Sequence, residues 1–216
     1  MGKIMHDYIK DYIRDLIPDH EGMLRELENY AEDNNVPIVH KETAKFLEFM
    51  VNVKKPLKIL ELGTAIGYSA ILMALNSKAK IITVDRNEDM IEIASKNIKK
   101  FGLDDRIKIL SGECIDVLKG LNEEYDIIFI DAGKGHYGQF FNECMRLLKE
   151  DGIIIADNVL FRGMVANNDL LQRRKITIVK RMRSYLAMVS KDSNLTTSVI
   201  PMGDGIAVTT RRRSYE

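Results

Sequence analysis

Tryptophan is absent from the 216 residues, and both cysteine (Cys114 and Cys144) and proline (four residues) are scarce. Two distant cysteines with no C-x-x-C pair exclude a disulfide framework and a paired-cysteine zinc site, and they suit a reducing compartment. No apolar run approaches the roughly 18 residues of a membrane span. The opening MGKIMHDYIKDYIRDL is charged throughout and lacks the apolar core of a secretory signal. A cytoplasmic protein with no membrane partner is the expectation. Net charge is also lacking, with 32 Lys/Arg against 32 Asp/Glu. That neutrality hides an asymmetry, because the stretch from Leu160 to Glu216 holds 11 Lys/Arg and only 4 Asp/Glu. A basic C-terminal quarter fits a polyanionic partner or a merely solvated face.

What is present is an ordinary globular composition, 45% hydrophobic and 30% charged, in a length that suits one α/β domain. The expectation is a single domain over residues 1–216, with a helical extension at 1–55 and an α/β core at 56–216. Tyr8, Tyr12, Ile13, Leu16 and Ile17 recur at helical spacing until Pro18, and further helices are expected over Glu21–Asp33 and Lys41–Val51. From Lys58 the pattern changes to short apolar runs, KILEL, KIITVD, RIKIL, YDIIFID and GIIIAD, each followed by an amphipathic stretch. These stretches predict helices near Ser69–Leu75, Glu88–Phe101, Ile115–Leu121 and Tyr137–Leu148. Strands that are apolar on both faces and alternate with helices imply a doubly wound, mostly parallel sheet. A helix over Lys175–Ser190 and two strands around Pro201, Gly203 and Gly205 complete seven strands.

The first predicted strand ends in Glu61-Leu62-Gly63 and runs through Thr64-Ala65-Ile66-Gly67 into a helix. Glycines there let the backbone turn tightly beside a ligand at the carboxyl edge of the sheet. Asp85 ends the second strand, 22 residues after Gly63, where a carboxylate can accept hydrogen bonds from ribose hydroxyls. Dinucleotide sites favour G-x-G-x-x-G around a pyrophosphate. The run here is G-T-A-I-G behind Glu61, a carboxylate better suited to an ammonium or sulfonium ligand. Ser111-Gly112-Glu113-Cys114 follows the third strand, in a position to meet an adenine. The fourth and fifth strands end in Asp131 and in Asp157-Asn158. Three oxygen donors without His or Cys suit a hard cation such as Mg²⁺. Lys134, close behind Asp131, becomes a candidate general base because nearby positive charge disfavours its ammonium form.

These segments together resemble class I methyltransferases of the catechol and caffeoyl-CoA O-methyltransferase type over nearly the whole chain. ELGTAIGYSA is similar to the family's cofactor loop, FIDAGKGHY to the segment with its metal-binding aspartate and catalytic lysine, and ADNV to its pair of metal ligands. The resemblance implies S-adenosylmethionine as cofactor and Mg²⁺ or Mn²⁺ held by Asp131, Asp157 and Asn158. Lys134 would be the catalytic base. Cofactor contacts would come from Val39, Glu61, Gly63, Tyr68, Ser69, Asp85, Glu113 and Asp131. A homodimer is implied as well.

Within the family, VPIVHKETAKFLEF, GTAIGYSA and DNVLFRGMV with the basic QRRKITIVKRMR resemble the bacterial tRNA 5-hydroxyuridine methyltransferases. The implied substrate is the wobble uridine of a tRNA anticodon loop, whose C4 and C5 oxygens are vicinal like those of a catechol. RNA loops are bound through phosphates and through bases stacked on aromatic or arginine planes. Arg162, Arg173, Arg174, Lys175, Lys180, Arg181 and Arg183 are the candidates, and Arg211-Arg212-Arg213 reads as a solubilising tail. Three alternatives stay open: a catechol-type enzyme with a small acceptor, a nicotinamide-dependent oxidoreductase disfavoured by G-T-A-I-G, and a non-enzymatic RNA-binding protein.

Overall fold

The computed structural model describes residues 4–213; the first and last three residues of the expected domain lie outside it. Three helices open the chain, α1 (Asp7–Asp15), α2 (Gly22–Asp33) and α3 (Lys41–Lys54). Then β1 (Lys58–Leu62), α4 (Tyr68–Leu75), β2 (Lys80–Asp85), α5 (Glu88–Lys100), β3 (Ile107–Ser111), α6 (Cys114–Gly120), β4 (Tyr125–Ile130), α7 (Tyr137–Leu147) and β5 (Leu148–Ala156) alternate. After β5 come two short 3₁₀ turns, Asn168–Leu170 and Arg173–Lys175, then α8 (Ile176–Lys191) and the hairpin of β6 (Leu195–Ile200) and β7 (Ile206–Arg211).

The seven strands form one sheet in the order β3-β2-β1-β4-β5-β7-β6. β1 to β5 are parallel, and β7 runs antiparallel between β5 and β6. Sheet order therefore reverses direction between β1 and β4, the point where ligands bind in open α/β sheets. Every residue of β4 is buried, because helices cover both faces. Ile127 and Phe129 pack with α2, α3, α4 and α5, whereas Ile128 and Ile130 pack with α6, α7 and α8. This two-sided burial explains why the central strands read as unbroken apolar runs.

β5 departs from expectation. It starts at Leu148, directly after α7, and not near Gly152. Leu148 pairs with Tyr125, and the register shifts between Tyr125 and Ile127. The polar Lys149-Glu150-Asp151 thus lies on an irregular strand end, where alternation gives no signal. Asn87 caps α5 by accepting hydrogen bonds from the Asp89 and Met90 N–H groups. Both cysteines are free thiols. Among the described residues, no helix is long and apolar enough to cross a membrane.

Candidate active site

The carboxyl ends of the parallel strands are tied into one edge by the main chain. Gly63 N–H donates to Val84 O, Gly112 N–H to Asp85 O, Asp131 N–H to Leu62 O and Asp157 N–H to Ile130 O, each at 2.9 Å. Gly63 has φ of 104°, and a Cβ there would stand 3.1 Å from the Asp131 carbonyl oxygen. Only glycine lets the β1 turn approach the β4 end so closely. A cavity of about 1320 Å³ opens above this edge, lined among others by Gly63, Asp85, Glu113, Asp131, Lys134 and Asp157.

At one end of the cavity Asp85 organises the turn. Its Oδ2 accepts from Thr64 N–H (3.0 Å) and Ala65 N–H (2.9 Å). Its Oδ1 accepts from Arg86 N–H (2.8 Å) and Asn87 N–H (3.0 Å). Four such bonds hold the carboxylate rigidly at the cavity wall.

Glu61 is fully buried behind the turn. Oε2 accepts from Thr83 Oγ1, which also meets Thr64 Oγ1 at 2.7 Å, while Oε1 has no partner. Burial pushes the Glu61 carboxyl up to about 7, with repulsion by Asp85 adding to the rise and the neighbouring Ser69 and Thr83 hydroxyls opposing it. A buried, half-satisfied carboxylate behind a glycine turn is where a cationic ligand group would be welcome.

The other expected cofactor residues divide. Val39 is buried and lines the cavity. Glu113 lines it too, paired with Arg86 at 2.9 Å. Ser69 is buried beside Glu61. Tyr68 instead gives its hydroxyl to Glu28 of α2 (2.6 Å), itself 2.7 Å from His20 Nδ1, and lines a second, smaller cavity.

At the other end stand Asp131, Asp157, Asn158 and Lys134. Burial holds the carboxyls of Asp131 and Asp157 above the ordinary aspartate value; repulsion by Glu61 adds to the rise at the first and repulsion by Asp131 at the second. Lys134 pulls both down. Asp157 Oδ1 accepts from Asn158 N–H (2.6 Å), and the buried Tyr137 hydroxyl donates to Asp157 O (2.8 Å), which fixes the strand end. Among the described residues no group of three His, Cys, Asp or Glu forms a metal cluster. Two mutually repelling carboxylates with an amide oxygen are nevertheless a donor set that fits a hard divalent cation.

Residues 16–212 match the O-methyltransferase family. The chain belongs to that family. It is 30% identical to a catechol O-methyltransferase of Niastella koreensis over 94% of this chain and 93% of that one. It is 31% identical to caffeoyl-CoA O-methyltransferase 3 of Nicotiana tabacum, over 82% and 77% respectively. The structure of an SAH-bound methyltransferase from Podospora anserina superimposes with a TM-score of 0.88 at 25% identity, covering 99% of this chain and all of that one.

The basic residues of this O-methyltransferase scatter more than the sequence suggested. Arg162 and Arg181 line the cavity. Lys175 lies near it, with Nζ 5.9 Å from the ring centroid of the cavity residue Phe161. Arg173 and Arg174 are exposed on the second 3₁₀ turn, outside the cavity lining, as is Lys180 on α8. Arg183 turns inward, donating to Val165 O (2.8 Å), Met164 O (3.2 Å) and Asn168 Oδ1 (2.8 Å). It braces the chain through Nε and Nη2. Arg211 is not tail either, for it lies in β7 and donates to Met145 O (2.6 Å) and Leu148 O (3.3 Å).

Four further residues of the cavity wall carried no mark of their role in the sequence. Arg14 and Glu42 form an ion pair in its wall, Phe161 stands over Lys134, and Asp204 accepts the Arg162 N–H. Burial raises the Asp204 carboxyl, against that hydrogen bond and the charges of Lys134, His40 and Arg162. The G-D-G turn marked its place in the chain, but nothing in the sequence marked its partner.

Proposed function

We propose that this protein transfers the methyl group of S-adenosylmethionine to one of two adjacent oxygens of a small, catechol-like acceptor. The observation that carries the reading is the convergence of Asp131, Lys134, Asp157 and Asn158 in one cavity with the Gly63 turn, behind which the fully buried Glu61 keeps an unpartnered oxygen. The turn and Glu61 would receive the cofactor. Asp131, Asp157 and Asn158 would hold Mg²⁺ or Mn²⁺, which when bound supplies charge neutralisation and lowers the pKa of a coordinated hydroxyl. Lys134 would accept the acceptor's proton, leaving an oxyanion to attack the methyl carbon in line. The protein's relatives among the catechol and caffeoyl-CoA O-methyltransferases favour a small acceptor.

A second reading, 5-hydroxyuridine at the wobble position of tRNA, draws support from Arg162 and Arg181 in the cavity wall and from the exposed Arg173 and Arg174. The same vicinal oxygens would serve. We further propose a homodimer, which light scattering on the purified protein tests.

Methyl transfer from labelled S-adenosylmethionine to a catechol, compared with tRNA carrying or lacking 5-hydroxyuridine, separates the readings. Transfer to the catechol alone supports the first. Transfer only to the hydroxylated tRNA, with affinity that falls steeply with salt and with Arg173→Glu/Arg174→Glu, supports the second. No transfer to any of them, with the cofactor bound, overturns both.

A further inference from the structure

The segment after β5 takes a backbone that its residues do not favour. Phe161 and Arg162 have φ of 43° and 56°, in the left-handed region that such side chains seldom occupy, and Asn158, a residue type that tolerates it, has φ of 58°. Such a conformation persists only where surrounding structure over-determines it. Here the surroundings are the turn between β6 and β7. Val159 N–H donates to Gly205 O (2.9 Å) and Leu160 N–H to Asp204 O (3.0 Å). The Arg162 N–H donates to the Asp204 carboxylate. Gly205 has φ of 90°, and a Cβ there would fall 2.4 Å from Leu160 Cγ, so turn and segment meet backbone to backbone. The side chain in this brace is Asp204.

What the brace holds is Phe161, only 8% exposed. Its ring centroid lies 5.9 Å from Lys134 Nζ and 5.9 Å from Lys175 Nζ. An ammonium at that range is attracted by the ring's quadrupole. The ring therefore restrains the lysine that takes the acceptor's proton, and its own place depends on a backbone pair that cannot hold itself.

We infer that Asp204 is a positioning residue for the methyl transfer: through the Arg162 N–H it fixes the left-handed Phe161–Arg162 pair and so keeps the Phe161 ring against Lys134. The inference rests on the assignment of Lys134 as general base. Asp204 acts as a hydrogen-bond acceptor, so Asp204→Asn, which keeps Oδ1, preserves the arrangement, and Asp204→Ala destroys it. Lys134, His40 and Arg162 also surround Asp204. A carboxylate acting directly through its charge would instead make Asp204→Asn as harmful as Asp204→Ala.

The test uses the full chain in four forms: unmodified, Asp204→Asn, Asp204→Ala and Phe161→Leu. The first readout needs no acceptor. Proton–carbon NMR of the lysine ε-methylenes, assigned with Lys134→Met and Lys175→Met, should show ring-shifted signals in the unmodified protein and in Asp204→Asn. They should be lost in Asp204→Ala and Phe161→Leu. The second readout is kinetic. Asp204→Ala and Phe161→Leu should lower kcat by roughly 10–100-fold, with KM and cofactor Kd changed by no more than about twofold, as expected for misplaced reacting groups. Asp204→Asn should stay close to the unmodified rate. Equal impairment of Asp204→Asn and Asp204→Ala, or unshifted lysine signals that Asp204→Ala does not change, overturns the inference. Should Asp204→Ala fail to fold, Phe161→Leu must still reproduce the kcat loss and Asp204→Asn must not. If the unmodified protein methylates no acceptor, the proposed reaction fails while the NMR arm still decides the brace.

Discussion

Arg14 of α1 and Glu42 of α3 are joined by two parallel hydrogen bonds, 2.7 Å from Nε and 3.0 Å from Nη2. Glu42 is 4% exposed, and α1 buries none of its own residues. The helix that walls the cavity on this side is thus fastened largely by charge. Burial is the largest influence on the Glu42 carboxyl and raises it, but the hydrogen bonds from Arg14 and from its own backbone N–H, with the charges of Arg14 and His40, together outweigh burial and hold the group below 4.5.

Arg14→Ala should lower stability by about 1–3 kcal/mol, the usual cost of leaving a buried acceptor without its donor. A depressed carboxyl contributes stability above its unfolded value and loses it as pH falls through the folded one. The gap between Arg14→Ala and the unmodified protein should therefore be full at neutral pH and close below about 4.5. Urea titrations at several pH values check this, and a gap that is constant down to pH 3 would refute it.

Glu61 makes the opposite prediction. Its folded value of about 7 lies above the unfolded 4.5, so the folded state holds this proton longer. The group's contribution falls as pH rises between those values and stays low above them. Cofactor-free Glu61→Gln should gain on the unmodified protein between pH 5 and 8, by up to about 3 kcal/mol. The same substitution should weaken S-adenosylmethionine binding, read by calorimetry. A stability difference that does not move with pH would show that Glu61 is already ionised at pH 5.

Asp157→Ala or Asn158→Ala should abolish methyl transfer and leave cofactor affinity largely intact. A chelator should do the same to the unmodified protein, with recovery on adding Mg²⁺ or Mn²⁺. Full turnover in excess chelator would remove the metal from the reading.

Lys134→Met should slow turnover roughly 10²–10⁴-fold with a smaller effect on binding, the range for losing a general base. Single-turnover rates measure it. A variant as fast as the unmodified protein would return Lys134 to the ordinary loop residues.

The parallel strands were legible because burial on both faces leaves an unbroken apolar run, and the ends of those runs located Asp131 and Asp157. The apolar spacing of α1 misled in one respect. Tyr8, Tyr12 and Leu16 are 71%, 66% and 65% exposed, because helical spacing records that a face is apolar, not what covers it. Asp85 was found in its place at the cavity wall, but its four bonds to the turn were not legible, because a carboxylate that organises a loop carries no separate mark in sequence. Phe161 and Asp204 were invisible. Their roles depend on a positive φ and on a contact between segments some forty residues apart, and neither leaves a periodic trace.

The insertion of β7 between β5 and β6 has a consequence for synthesis. Residues emerge from the ribosome in order, and domains consolidate as they appear. β1 to β4, with Glu61, Gly63, Asp85 and Asp131, can pair as soon as they are out. The segment from Asn158 to Arg162 must wait for Asp204 and Gly205, some forty residues further along. A nascent chain can therefore own the Glu61–Asp131 edge before it owns the wall built by Phe161 and Asp204, and removal of the residues from Asp204 onward would take the second and spare much of the first.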